Sequence, residues 1–163
     1  LEEAAKLDSM TMLLNHEATM DCIKLILKNE HDRHHALFMI DIDNFKDLND
    51  TMGHRFGDEF LIELSRELKK IFRETDIVGR IGGDEFFVLM RNISDNAQVE
   101  GKAKDILSAI RKTSSKYTKI NLSGSVGISI YPDNGETLDD LYQKADSALY
   151  EVKGNGKNSF TFA

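Results

Sequence analysis

Asp76-Ile77-Val78-Gly79-Arg80-Ile81-Gly82-Gly83-Asp84-Glu85-Phe86-Phe87-Val88-Leu89-Met90 is the stretch whose reading decides the fold. Both ends are apolar enough to form strands. The Gly82-Gly83 pair between them marks the tip of a β-hairpin, where positive φ or a close backbone approach is expected to require glycine. The tip passes directly into two adjacent carboxylates, Asp84 and Glu85. A tight turn therefore carries concentrated negative charge.

Upstream of the hairpin, Met20, Ile23 and Leu27 predict a helix over 18–28, and Ala36-Leu37-Phe38-Met39-Ile40 predicts a buried strand that ends in Asp41-Ile42-Asp43. A helix or turn follows at 44–49. Gly53 and Gly57 bracket a loop, and Asp58 opens an amphipathic helix over 58–72 with Phe60, Leu61, Leu64, Leu68 and Ile71 inward. Downstream, the pattern predicts a helix over 97–112 and a strand over 122–131 closed by Pro132-Asp133-Asn134-Gly135. Next come a helix over 137–152, capped by Thr137 and stopped at Gly154, and a strand over 159–162. The order β, α, β, β, α, β predicts an α+β fold: a ferredoxin-like or polymerase-palm-like central antiparallel sheet flanked by helices, expected on one face, with an extra C-terminal helix-strand.

With 163 residues, 40% hydrophobic and 30% charged, the chain is sized for one domain spanning 1–163. Its net charge of −7 argues against binding a nucleic-acid polymer, but not against a nucleotide held through a divalent cation. No apolar stretch approaches the roughly 18 residues of a membrane span, so no membrane contact by this domain is expected. The N-terminus lacks a leader pattern, and Leu1 to Leu7 is helix-prone without a domain boundary, so a fragment of a longer chain is expected. Cys22, the only cysteine, excludes an intramolecular disulfide, fits a reducing cytoplasm and reads as a small core residue.

Asp41 and Asp43 lie two apart in a strand and so share a face. In a palm-like sheet the hairpin lies beside that strand, bringing Asp84 and Glu85 near Asp41 in an oxygen-rich site suited to Mg²⁺. Taken alone, aspartates also end strands and cap helices. Lys46 could face phosphate oxygens while the N–H groups of Asn44, Phe45 and Lys46 cradle them, although an exposed helical lysine is the plainer reading. Asn49, His54 and Asp58 surround the glycine-bracketed loop. An amide and a carboxylate there match a guanine edge and leave adenine unpaired, whereas Asp58 could equally be a helix cap. Lys153 and Lys157 flank Gly154 and Gly156, a basic loop suited to a triphosphate tail or to the helix dipole. His31, His34 and His35 lack a fourth ligand and read as a solvated loop rather than a zinc site.

Five segments in order carry a resemblance. They are Asp41-Ile42-Asp43-Asn44-Phe45-Lys46, Asn49-Asp50-Thr51-Met52-Gly53-His54-Arg55-Phe56-Gly57-Asp58, Gly82-Gly83-Asp84-Glu85-Phe86, Ser125-Val126-Gly127-Ile128, and Ala145-Asp146-Ser147-Ala148-Leu149-Tyr150 followed by Lys153. Over nearly its whole length the chain resembles the GGDEF family, the diguanylate cyclases of bacterial second-messenger signalling. The resemblance implies that two GTP molecules, one on each domain of an at least transient homodimer, are joined into cyclic di-GMP with release of two pyrophosphates. It further implies Mg²⁺, with Mn²⁺ as an alternative, on Asp41, the Ile42 carbonyl, Asp84 and Glu85. Lys46 is then expected to stabilise transition-state charge, and either Asp84 or Glu85 to assist deprotonation of the 3′-hydroxyl. Asn49, His54 and Asp58 are expected at the guanine, and Lys153 and Lys157 at the terminal phosphates.

The resemblance also makes Arg73 and Asp76 an inhibitory product site for cyclic di-GMP, where the plain alternative is a helix-end ion pair. An upstream sensor or dimerisation domain and a cytoplasmic setting, including the cytoplasmic part of a membrane-anchored protein, are expected. A non-catalytic receptor for GTP or cyclic di-GMP is the competing reading. The family's opening motif departs here: in Asp8-Ser9-Met10-Thr11-Met12-Leu13-Leu14-Asn15-His16, Met12 and His16 replace the usual glycine and arginine, so a reshaped turn is expected. Lys157 stands where arginine is usual.

Overall fold

The strand β1 (His35–Asp43) is apolar on both faces and therefore sits at the centre of the sheet. The computed structural model describes residues 6–117 and 120–163. Around β1 in chain order lie α1 (His16–Asn29), α2 (Phe45–Met52), α3 (His54–Ile71), β2 (Ile77–Arg80), β3 (Glu85–Met90), α4 (Asn96–Tyr117), β4 (Ser123–Tyr131), α5 (Leu138–Gly154) and β5 (Ser159–Phe162). The strand order is β2-β3-β1-β4-β5. β1 pairs antiparallel with β3 and β4, and β2 antiparallel with β3. β5 joins β4 in parallel, because the chain returns through α5, and a helical crossover brings the next strand in with the same direction.

Helices cover both faces of the sheet, which corrects the one-face expectation. Phe38, Ile40, Ile42, Phe86 and Val88 pack against Phe60, Leu64 and Leu68 of α3 and Ala103, Ile106 and Ile110 of α4. Leu37, Met39, Phe87 and Leu89 pack against Ile23 and Leu27 of α1 and Leu141, Ala145 and Leu149 of α5. Successive residues of a strand face opposite ways, so uninterrupted apolar runs in β1 and β3 need a cover on each side. α5 lies so close to β4 that a Cβ on Gly127 would stand 2.1 Å from the Ala145 carbonyl oxygen.

Other boundaries also move. The long helix begins at His54 rather than Asp58, so Gly57 lies inside it and the expected glycine-bracketed loop is absent. Gly53, at φ +89°, ends α2 and starts α3, a backbone state open to glycine, and Asp58 is not the helix cap. At the hairpin, neither Gly82 nor Gly83 has positive φ. A Cβ on Gly83 would meet nothing within 4 Å, and one on Gly82 only ordinary contact with Glu85. The turn's own backbone and packing therefore do not demand the glycine pair.

Met12 keeps the N-terminal turn closed in a left-handed conformation, φ +62°, where glycine is the usual residue. Its N–H donates to the Asp8 carbonyl at 2.8 Å, and Leu14 forms an isolated bridge with Gly79 on the edge of β2. Asn15 caps α1 through Ala18 N–H at 2.9 Å, and His16 is an exposed first helical residue. Two further expectations change. Cys22 is only half-buried, and His35 is fully buried, its ring bonded to the Glu30 carbonyl at 3.0 Å and to Asn92 N–H at 3.2 Å. His31 and His34 are exposed as expected. Of the Leu1 to Leu7 segment, residues 1–5 lie outside the described residues. No helix among the described residues is long and apolar enough to cross a membrane.

Candidate active site at the end of β1

The end of β1 and the start of β3 lie side by side, with Asp41 opposite Glu85 in the ladder and Ile42 N–H bonded to the Asp84 carbonyl at 3.2 Å. A cleft of about 320 Å³ opens there, between the start of α2, the hairpin tip and the end of α5. Asp41 Oδ2 accepts a hydrogen bond from Lys153 Nζ, while its Oδ1 is buried with no partner among the described residues. Burial, reinforced by the negative charge of Asp41, pushes the Asp84 carboxyl up to about 6. Burial alone would lower the Lys153 ammonium, but the hydrogen bond to Asp41 and the charges of Asp41, Asp84 and Glu85 outweigh it and raise it.

Among the described residues, no group of three or more His, Cys, Asp or Glu side chains is arranged to hold a metal. Two carboxylates facing one cleft nevertheless fit Mg²⁺, which takes one or two of them and completes its octahedron with water and phosphate oxygens. The Asp41 oxygen without a partner among the described residues and the Asp84 carboxyl, raised by burial and then by the charge of Asp41, are groups that a cation would satisfy. Glu85 is exposed, and its Oε1 lies 3.5 Å from where a Gly82 Cβ would stand. It does not join Asp41 and Asp84 in a three-acid cluster.

Lys46, Asn44 and Phe45 line the same cleft. Asn44 precedes α2 in a left-handed conformation and makes no side-chain cap, so it leaves the first-turn N–H groups of the helix without its own side chain as acceptor. Lys157 reaches Asn44 Oδ1 at 3.4 Å. Asn49, His54 and Asp58 do not line this cleft. Asn49 sits one turn along α2, its buried Oδ1 without a partner among the described residues, in a notch that exists because residue 57 is glycine: a Cβ there would be 2.0 Å from that oxygen. Asp58 follows on α3, and both it and His54 are exposed.

Arg73 and Asp76 meet, as their spacing suggested. The buried Asp76 carboxylate accepts from Arg73 N, Nε and Nη2 at 3.0, 3.3 and 3.2 Å and from Arg91 N at 2.9 Å. Arg73 Nη2 also donates to the Arg91 carbonyl. This clasp joins the start of β2 to the end of β3, about 20 Å along the strand from Glu85 at about 3.3 Å per residue. Arg73 remains half exposed beside a groove of about 290 Å³.

Two features escaped the sequence reading. Arg80 Nη1 pairs with both Asp8 oxygens at 3.2–3.3 Å, while its Nε and Nη2 donate to the Gly82 and Gly83 carbonyls at 3.0–3.3 Å. The signature turn is thus tied to the N-terminal turn, a link between positions 72 residues apart that no local pattern reveals. Asp43 is buried and turned to Ser123, Ser125 and the backbone of Asn158.

Residues 5–159 match the family described as "Diguanylate cyclase, GGDEF domain". The chain belongs to this family. Diguanylate cyclase A of Treponema denticola is 36% identical over 155 residues, covering 94% of this chain and 40% of that protein. The cyclic di-GMP phosphodiesterase PdeR of Escherichia coli is 34% identical over 157 residues, covering 96% and 24%. The GGDEF domain of TpbB from Pseudomonas aeruginosa superposes with a TM-score of 0.87 at 33% identity, covering 96% and 94% of the two chains. That of DgcB from Caulobacter crescentus, solved in complex with c-di-GMP, gives 0.85 at 25% identity, covering 97% and 95%. The GGDEF domain described here spans between 23 and 40% of the length of the first curated relatives it matches. The palm-like sheet with helices on both faces is the fold of this family.

Proposed function

We propose that this GGDEF domain is a diguanylate cyclase that condenses two GTP into cyclic di-GMP and two pyrophosphates, and that it works as a homodimer with Mg²⁺ or Mn²⁺. The observation that carries this reading is the meeting of Asp41 and Asp84 in one cleft with the start of α2, Lys46, Lys153 and Lys157. One domain holds one GTP, so the reaction needs a second copy about a two-fold axis. The 3′-hydroxyl oxygen of each GTP forms a bond to the α-phosphorus of the other, two bonds in all, each formed in the same way. The bond from that phosphorus to the pyrophosphate oxygen breaks, and the hydroxyl proton passes to Asp84 or Glu85. Asp41, Asp84, Glu85 and the Ile42 carbonyl would hold a divalent cation, which would offset phosphate charge and favour the ionised hydroxyl.

Lys46 stabilises charge on the transferring phosphoryl group, and the N–H groups of Asn44, Phe45 and Lys46 orient it. Lys153 exchanges Asp41 for a terminal phosphate, and Lys157 holds the tail with a single charge. Asn49 and Asp58 read guanine, with His54 beside them. The glycine at position 57, which leaves room for the Asn49 side chain next to Asp58, supports this role. Arg73 and Asp76 take cyclic di-GMP as inhibitor through the exposed side of the guanidinium. The domain acts in the cytoplasm under an upstream sensor or dimerisation module.

The test is incubation of concentrated protein with GTP and Mg²⁺, with detection of cyclic di-GMP and pyrophosphate and Asp84→Ala as the blank. Absence of both products from folded, dimeric protein overturns the cyclase reading. The family match to a protein named as a phosphodiesterase favours one second reading, a receptor that binds GTP or cyclic di-GMP without turnover. Binding without product would establish it.

A further inference from the structure

The loop that carries Lys157 is held in an unusual backbone state. Gly156, Lys157 and Asn158 take φ values of +107°, +64° and +50°, so two successive non-glycine residues are left-handed. Each such residue is disfavoured and persists only where its surroundings over-determine it. Lys157 N–H bonds back to the Val152 carbonyl at 3.0 Å, and Asn158 N–H donates to Asp43 Oδ2 at 3.0 Å. Ser123 Oγ donates to the same oxygen at 2.6 Å, and Ser125 Oγ to Oδ1 at 2.7 Å. Arg111 of α4 adds a contact to Asn158 Oδ1 at 3.3 Å.

Asp43 is almost fully buried, and no ion pair to its carboxylate occurs among the described residues. Its charge is supported by three donors, one of which belongs to the loop. A buried carboxylate is costly unless its hydrogen bonds are filled, so the arrangement is rigid in both directions: the serines orient the acid, and the acid grips the loop. The next residue, Asn44, receives Lys157 Nζ on its side chain. The junction between β1 and α2 thus holds this loop by its backbone and by its functional side chain. Asp43 and Lys157 both line the cleft at the start of α2.

We propose that Asp43 is a positioning residue for polyphosphate recognition, which holds the Lys157–Asn158 backbone so that the Lys157 ammonium stands over the N-terminus of α2. The inference rests on the proposed role of Lys157 in holding the terminal phosphates. Lysine is a single point charge on a flexible stem, without the planar fork with which arginine fixes its own geometry, so its aim depends on where the backbone is held. Asp43 never touches the nucleotide. Its effect falls on the triphosphate tail and leaves the guanosine end alone.

The test is a double-mutant cycle on the full chain, titrated by calorimetry with Mg²⁺ and either 3′-deoxy-GTP, which lacks the attacking hydroxyl and cannot condense, or GMP. Lys157→Ala and Asp43→Ala should each weaken 3′-deoxy-GTP about tenfold, the scale of one charge-assisted contact, and leave GMP nearly unchanged. The double variant should bind no more weakly than Lys157→Ala alone, because the two act through one group. Ser123→Ala, at the strand end, should give a smaller loss of the same kind. It decides the matter if Asp43→Ala does not fold, and full triphosphate affinity in that variant would then overturn the proposal. Equal weakening of both nucleotides by Asp43→Ala, or losses that multiply in the double variant, would also overturn it. If Lys157→Ala itself leaves 3′-deoxy-GTP binding intact, the phosphate role of Lys157 falls first and this inference with it.

Discussion

Lys153, in the last turn of α5, donates a hydrogen bond to Asp41 at the end of β1, closing 112 residues of chain onto one carboxylate. The Asp84 carboxyl beside them stays high, at about 6. A carboxyl raised in the folded state contributes stability that is fully present below its ordinary value of 3.8 and lost as pH rises through about 6. The melting temperature should therefore carry a component that falls between pH 4 and pH 7, and Asp84→Asn should remove it. At pH 7 that variant should be more stable by about 1 kcal/mol after allowance for solvent screening. Added Mg²⁺ should raise the melting temperature of the wild type at pH 7 and leave that of Asp84→Asn unchanged. Calorimetric melts with and without the metal check both.

Arg80 anchors the signature turn. Its side chain and that of Asp8 are only 17% and 22% exposed. Arg80→Leu should cost about 1–2 kcal/mol, a partly buried charge-assisted pair left broken. Product formation per folded molecule should fall at least tenfold, because the turn that carries Asp84 loses its clamp, a penalty on the scale of about 1.4 kcal/mol in the barrier. Asp8→Asn, which leaves the contacts to the Gly82 and Gly83 carbonyls in place, should lose less. Denaturant titration paired with a pyrophosphate assay separates stability from turnover.

His35 is buried in its neutral form. Burial, the largest influence, lowers its pKa from 6.5. Its Nδ1 accepts from Asn92 N–H, so Nε2 carries the proton given to the Glu30 carbonyl, and a second proton would face a donor. The depressed value means stability that is intact above 6.5 and lost as pH falls through that value toward the folded one, since the unfolded chain takes up the proton first. With the opposing Asp84 component removed by Asp84→Asn, the urea midpoint should drop between pH 7.5 and pH 5, and less so when His35→Gln is added. A midpoint of the Asp84→Asn protein that rises as pH falls over that range would contradict this assignment.

Met12 occupies a left-handed position with its side chain largely exposed. Met12→Gly should relieve the strain at no cost in packing and stabilise the protein by about 1 kcal/mol, net of the added freedom of the unfolded chain. For a domain of this size that is a rise in melting temperature of about 2–4 °C. Gly53→Ala, at φ +89°, should shift it the opposite way. Scanning calorimetry of the two variants checks both signs.

Much of the fold was legible because the apolar pattern is local. The runs 36–40 and 86–90 announced the central strands, and α5 was bounded by Thr137 and Gly154 as the pattern suggested. The same runs already implied apolar side chains on both strand faces, and the second layer of helices follows from that. The start of α3 was misread because Gly57, a helix breaker by propensity, is kept by the close approach of Asn49, a tertiary contact.

The sequence by itself determined the family, the order of the elements and the acids and lysines that line the candidate cleft, because those follow from residue type and spacing along the chain. Only the tertiary structure decided that Asp41 and Asp84 share one cleft with Lys153, that Asp43 accepts a hydrogen bond from the backbone next to Lys157, and that Arg80 binds the signature turn to Asp8. Each of those relations joins residues far apart in sequence. Charge, burial and hydrogen-bond direction act through distances in space, which no spacing along the chain specifies.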